Sequence, residues 1–129
     1  MGASALGTVL KDLRESKGFS LRELAQLAGI DHAYIHRLET GEKDSPSKET
    51  LDKLIRVLKP HRRDIEVLRY VAANPEINPD LVDLTVKDDG VSFEVFLTAA
   101  NMKFRSNSGI AAQELIDRAK KFYEEYEGH

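Results

Sequence analysis

The chain has 129 residues, 41% of them hydrophobic, no cysteine and a formal net charge of −3. That length suits one domain, or one small domain with an appendage, and that hydrophobic share excludes global disorder. The missing cysteines exclude disulfide frameworks and Cys-based zinc sites, and an acidic balance argues against nucleic-acid binding by the chain as a whole.

The charge is uneven. Residues 1–70 hold thirteen Lys/Arg against eleven Asp/Glu, and residues 71–129 hold six against eleven. A basic first half beside an acidic second half is the asymmetry expected if the first half alone meets phosphate. No run approaches 18 apolar residues, so no spanning helix is expected. The N-terminus lacks the basic-then-apolar layout of a signal peptide, and a cytoplasmic protein is expected.

The first half breaks into five short helical segments. The first runs from about Ser4 to Lys17, with Leu6, Val9, Leu10 and Leu13 on one face and Gly18 as its stop. Ser20 opens the second, and Ser20-Leu21-Arg22-Glu23 has the form of a capping box. Leu21, Leu24, Ala25 and Ala28 make its buried stripe, and Gly29 ends it. Asp31 is a good N-cap for the third segment, His32 to about Thr40, which Gly41 closes. Glu42 to Pro46 is a polar loop. Ser47 caps the fourth, with Leu51, Leu54, Ile55 and Leu58 inward. After Pro60 a fifth runs from about Arg62 to Ala73, with Ile65, Leu68 and Val71 or Ala72 on its core side. His61 with Arg62 and Arg63 is read as a solvated basic end, with contact to a DNA phosphate as the alternative.

Two Asn-Pro steps in Asn74–Pro79 push the chain out of helix and place the domain boundary there. Residues 1–74 form one unit and 75–129 a smaller C-terminal one. A short helix from Pro79 to about Lys87 buries Leu81 and Leu84. Residues 82–97 read either as a β-hairpin around Asp88-Asp89-Gly90 or as helix. Helix from about Phe93 to Lys103 is preferred: Phe93, Phe96, Leu97, Ala100 and Phe104 match its period, and Ser92 supplies an N-cap. Arg105 to Gly109 is a loop. The last helix, about Ile110 to Tyr126 with Ser108 as cap, places Ala112, Leu115, Ile116, Ala119, Phe122, Tyr123 and Tyr126 on one face.

The functional signal lies in the second and third segments. Two short helices joined by a tight glycine turn form a rigid corner whose second helix can enter the DNA major groove. Ala25 permits close approach, Gly29 turns the chain, Ile30 plugs the corner, and Ile35 and Leu38 anchor the second helix. Its outer face is then His32, Ala33, Tyr34, His36 and Arg37.

Residues 20–58 resemble the helix-turn-helix of the Xre and Cro-like phage-repressor family. The likeness is carried by Glu23-Leu24-Ala25, Gly29-Ile30-Asp31, Tyr34-Ile35, Arg37-Leu38-Glu39 with Gly41, and Pro46-Ser47 with Glu49-Thr50-Leu51, and extends over about residues 4–72. It implies an all-α, five-helix, lambda-repressor-like domain that binds double-stranded DNA, usually as a homodimer on a palindromic operator. It gives Arg37 a two-donor contact to guanine O6 and N7, the commonest specific contact. His32 would donate to a base or phosphate, Ala33 would pack on a thymine methyl, and Tyr34 and His36 would touch the backbone. Arg14 and Glu39 match a structural ion pair.

Two departures stand out. Leu21 occupies a position often held by Gln, so Arg22 takes over the backbone contact. The loop after the third helix is often basic in relatives, but here Glu42 and Asp44 flank Lys43, which lowers phosphate affinity. No nucleophile motif or phosphate loop points to an enzyme. His32 and His36 stand four apart but lack companion ligands, so neither metal nor cofactor is expected. The leading expectation is a dimeric repressor. The alternatives are an antitoxin that binds a basic toxin through residues 75–129, and a protein-interaction module that retains the fold without binding DNA. The last helix reads either as a cap packed on the DNA-binding domain or, being aromatic and acidic at its edge, as a dimer or partner interface.

Overall fold

The computed structural model describes residues 4–106 and 111–126, with helices throughout and no strand among them. The helices are α1 (Ala5–Ser16), α2 (Leu21–Ala28), α3 (His32–Thr40), α4 (Lys48–Leu58), α5 (Arg62–Ala73), α6 (Pro79–Lys87), α7 (Phe93–Ser106) and α8 (Ala112–Tyr126). Residues 88–92 turn between α6 and α7, so residues 82–97 take the helical reading over the hairpin. Phe93-Glu94-Val95-Phe96 has enough apolar side chains for either state; the Ser92 hydroxyl, which accepts from the Val95 amide at 3.1 Å, favours the helical start. The expected Ser108 cap and Ile110 lie outside the described residues.

Local chemistry sets the ends. Ser4, Ser20, Asp31, Ser47 and Asn78 each accept an amide hydrogen bond at a helix N-terminus, and Pro79 takes the first position of α6. Gly29 and Gly41 end α2 and α3 in the left-handed region.

One buried cluster holds Leu6, Leu10, Leu38, Leu54 and Leu68 from the first five helices with Leu81, Phe96 and Ile116 from the last three. The core is thus continuous across Asn74–Pro79. α1 is its hub, packed against α3, α5 and α6. Gly7 makes the approach of α1 to α3 possible. A Cβ there would stand 2.5 Å from the Glu39 carbonyl oxygen and closer still to that of Leu38.

Several expected core stripes are rotated. On α5 the buried set is Asp64, Val67, Leu68 and Val71, while Ile65 is half-buried. The carboxylate is tolerated because Arg63 bonds Asp64 Oδ1 at 2.8 Å. Arg63 is not a solvated end. Its guanidinium donates to the carbonyls of Val86, Asp88 and Val91 at 3.0, 2.6 and 2.9 Å. It therefore satisfies the Val86 carbonyl at the end of α6 and two carbonyls of the turn that follows, and ties α5 to the α6–α7 turn. Tyr70 of α5 adds edge-on contacts to Phe93 and Phe96 of α7, at 6.1 and 5.9 Å. On α6, Val82 and Thr85 are buried and Leu84 only partly; the Thr85 hydroxyl bonds the Leu81 carbonyl. On α8, Leu115, Ile116 and Ala119 are buried, but Phe122 is 44% exposed.

Between α1 and α6 two carboxyls meet. Burial first, then the neighbouring Asp83, raise the Asp12 carboxyl to about 7, with Lys87 pulling the other way. Asp83 moves below its usual value, first through the hydrogen bond from Asp12. Lys87 Nζ sits 3.0 Å from Asp83 Oδ1. Like charges this close ionise one at a time, so Asp12 carries the proton that Asp83 accepts.

Two predictions follow the α1 contacts. Gly7→Ala, where backbone blocks the new methyl, lowers unfolding free energy by about 2–3 kcal/mol. Gly18→Ala meets open space at φ +75° and loses about 1 kcal/mol. Urea titrations of both variants check the ranking. For Asp12, a raised native pKa means that its stabilisation is complete below the unfolded value of about 3.9 and is lost as pH rises through about 7. Asp83 is ionised throughout that upper range. The wild type therefore loses ~1 kcal/mol, allowing for solvent screening, between pH 5 and pH 8 relative to Asp12→Asn. Parallel melts of the two proteins across that range measure the difference.

Candidate nucleic-acid interface

The corner between α2 and α3 is built from its caps inward. The Ser20 hydroxyl accepts from the Glu23 amide at 3.1 Å, and the Glu23 carboxylate accepts from the Ser20 amide at 2.8 Å. Those bonds hold the exposed Glu23 carboxyl below its usual range. At the other end Gly29 adopts φ 70°, ψ 36°, and the Ile30 amide reaches back to the Ala25 carbonyl at 3.0 Å. This left-handed step stops α2 and redirects the chain within two residues. Asp31 then starts α3 by accepting from the Ala33 amide.

Three residues of α3 face inward: Ile35 and Leu38 are fully buried and Glu39 is 5% exposed. Glu39 meets Arg14 of α1 through two parallel bonds, Nε to Oε2 at 2.7 Å and Nη2 to Oε1 at 3.0 Å. The remaining guanidinium nitrogen of Arg14, Nη1, donates to the Phe19 carbonyl at 2.8 Å. One guanidinium thus ties together α1, the turn into α2, and α3. The two-donor geometry and low exposure place it among the stronger ion pairs.

His32, His36 and Arg37 are exposed on the opposite face of α3. Ala33 is half-buried, and Tyr34 leans part of its ring on the core. Arg22 is exposed on α2 and, with Gln26, Asp31 and His32, lines a shallow notch of about 450 Å³ at the corner. Lys43 is exposed beyond the end of α3, between Glu42 and Asp44. The sequence-derived set thus gathers around one corner, with Arg22 and His32 on one notch and Arg37 and Lys43 at the far end of α3. α3 packs on α1 and α2, whereas α8 packs on α6 and α7.

Three residues that shape this surface are not among the expected contacts. Gln26 stands one turn after Arg22 on α2, a spacing that could have flagged it. Glu42 Oε2 lies 3.4 Å from Arg37 Nε. Gly7 gives no local signal, because the backbone it admits belongs to α3. Among the described residues no group of three or more His, Cys, Asp or Glu is arranged to hold a metal ion, and no helix is long and apolar enough to cross a membrane.

Residues 5–68 match the family model described as a helix-turn-helix domain. An uncharacterized HTH-type transcriptional regulator, RghRB of Bacillus subtilis (strain 168), is 32% identical over 74 residues, which is 57% of this chain and 53% of that protein. The HTH-type transcriptional regulator SinR of the same organism is 38% identical over 53 residues, 41% of this chain and 48% of that protein. SinR of Bacillus licheniformis matches to the same extent. The chain spans about half the length of these curated relatives.

The Arg14–Glu39 geometry generates a stability prediction. Arg14→Leu leaves the Glu39 carboxylate buried without its partner and costs about 3–5 kcal/mol. The double variant Arg14→Leu/Glu39→Leu removes both charges and regains most of that loss. Chemical denaturation of the single and double variants measures the recovery.

Proposed function

Residues 5–68 belong to the Xre and Cro-like helix-turn-helix family, and from that footing we propose that the protein is a DNA-binding transcriptional regulator. The observation that carries this reading is the two-sidedness of α3. Ile35, Leu38 and Glu39 hold one face in the core, while His32, His36 and Arg37 stand out on the other. A helix of nine residues so fixed fits the major groove.

Residues 1–74 are the five-helix, lambda-repressor-like DNA-binding unit in this proposal. Arg37 reads guanine through two donors and His32 donates at the start of α3. Ala33 packs on a thymine methyl. Arg22, Tyr34, His36 and Lys43 contact the phosphate backbone and set the register. Amides at the start of α3 add a further phosphate site. The protein acts in the cytoplasm as a homodimeric repressor on a palindromic operator, blocking a promoter by occupancy. Residues 75–129 supply the dimer or partner surface, with the exposed Phe122 of α8 at its edge. The carboxylates of Glu114, Asp117 and Glu124 are exposed on that helix. They favour, as a second reading, an antitoxin that binds a basic partner protein there. A second chain that co-purifies and is released by salt distinguishes this reading.

Selection from a pool of random duplexes at low salt tests the main reading. It yields a palindromic motif with half-sites one helical turn apart, roughly 34–36 Å. Arg37→Ala weakens binding to that motif by about 1–3 kcal/mol and relaxes the preference at one guanine per half-site. A pool that returns no enriched sequence refutes the proposal.

A further inference from the structure

The loop after α3 is not a passive connection. Gly41 takes φ 87°, ψ 1° and stops the helix. The Lys43 amide then donates to the Arg37 carbonyl at 3.0 Å, and the Thr40 hydroxyl donates to the same oxygen at 3.2 Å. This closure folds the chain back over the last turn of α3 and brings residue 42 beside residue 37. There the Glu42 carboxylate sits 3.4 Å from Arg37 Nε.

An acidic residue at that place works against the helix. The C-terminal end of α3 carries the negative pole of the backbone dipoles, which favours cations and disfavours carboxylates. Glu42 is compensated there by Arg37. Contact is through one donor atom, with the two side chains 48% and 65% exposed. Arg14, by contrast, holds Glu39 through two donors in a nearly dry setting. The Arg37 pair is held in place by the loop but remains open to exchange.

We propose that Glu42 is a resident competitor for the Arg37 guanidinium, occupying it in the free protein and displaced from it when DNA binds. The inference rests on the DNA-binding reading above and adds to it a residue that lowers affinity through Arg37. In the free state the carboxylate satisfies a donor that DNA must recapture. In the bound state the displaced carboxylate lies near phosphate and takes up a cation from solution, which offsets one released counterion.

The experiment is a double-mutant cycle with the full chain: wild type, Glu42→Gln, Arg37→Ala and the double variant, each titrated onto a short duplex carrying the motif returned by the selection above, across a salt series. Melting curves establish that all four are folded. Glu42→Gln binds about three- to fivefold more tightly at low salt and steepens the salt dependence by about one counterion. In the Arg37→Ala background the same change gains less than half as much on a logarithmic scale. An equal gain in both backgrounds overturns the inference, because Glu42 then acts on phosphate directly. So does an Arg37→Ala variant that binds as the wild type does, because Arg37 is then outside the interface. If the wild type fails to bind DNA at any salt concentration, the DNA-binding reading itself falls.

Discussion

The approach of α1 to α3 is the constraint on which the rest of the molecule depends. At Gly7 two helix backbones come closer than any side chain permits, with α3 carbonyls occupying the space of a Cβ. Seven residues later on the same face of α1, Arg14 holds Glu39. One position removes bulk and the other supplies a charged clasp. Together they set both the depth and the angle at which α3 sits. Burial of Ile35 and Leu38 alone would leave rotation about the helix axis weakly specified, because hydrophobic contact is non-directional. A guanidinium with two donors aimed at one carboxylate is directional, and it specifies which side of α3 faces out.

α1 also transmits that position to the second half of the chain. Its other face meets α6, where the Asp12 and Asp83 carboxyls face each other beside Lys87 and the pKa of the Asp12 carboxyl is raised. Arg63 secures the far side by closing the carbonyls around the α6–α7 turn. The C-terminal helices are therefore bound to the first five by polar contacts with specific geometry as well as by a common core. α1 is thus a single helix packed on α3 by one face and on α6 by another.

Much of this was legible in the sequence where the signal is local. Capping residues at Ser20, Asp31 and Ser47, the glycine turns at 29 and 41, and the apolar spacing of α1 to α4 each act within a few residues, so they read directly. Of the expected outward face of α3, His32, His36 and Arg37 stand out, whereas Ala33 and Tyr34 are half-buried. What the sequence hid lies in long-range polar compensation. Asp64 occupies a core position because Arg63 neutralises it, and a pattern that counts apolar residues alone passes over it and selects Ile65. Arg63 looked like a surface cation because its three carbonyl partners lie 23 to 28 residues away. Phe122 matched the apolar stripe of α8 by period, but the stripe of α8 is buried at Leu115, Ile116 and Ala119, and the partly exposed ring lies nearer the helix end.

The charge on the candidate interface does not offset the acidic composition of the chain. Net charge governs long-range attraction, whereas contact depends on charges within about a Debye length, roughly 10 Å at moderate salt. Around the corner Arg22, Arg37 and Lys43 are accompanied by Glu23, Asp31, Glu42 and Asp44, all exposed. Glu23 and Asp31 are committed to helix caps, so their negative charge is the cost of the geometry that presents α3. A surface of this kind gains little from phosphate attraction alone. On the reading proposed above, affinity for DNA would come from shape fit and base contacts, and from two copies acting together, where the second contact becomes effectively intramolecular. Weak electrostatics at each copy then favours selectivity, because a non-specific duplex offers the phosphates but not the matching base edges.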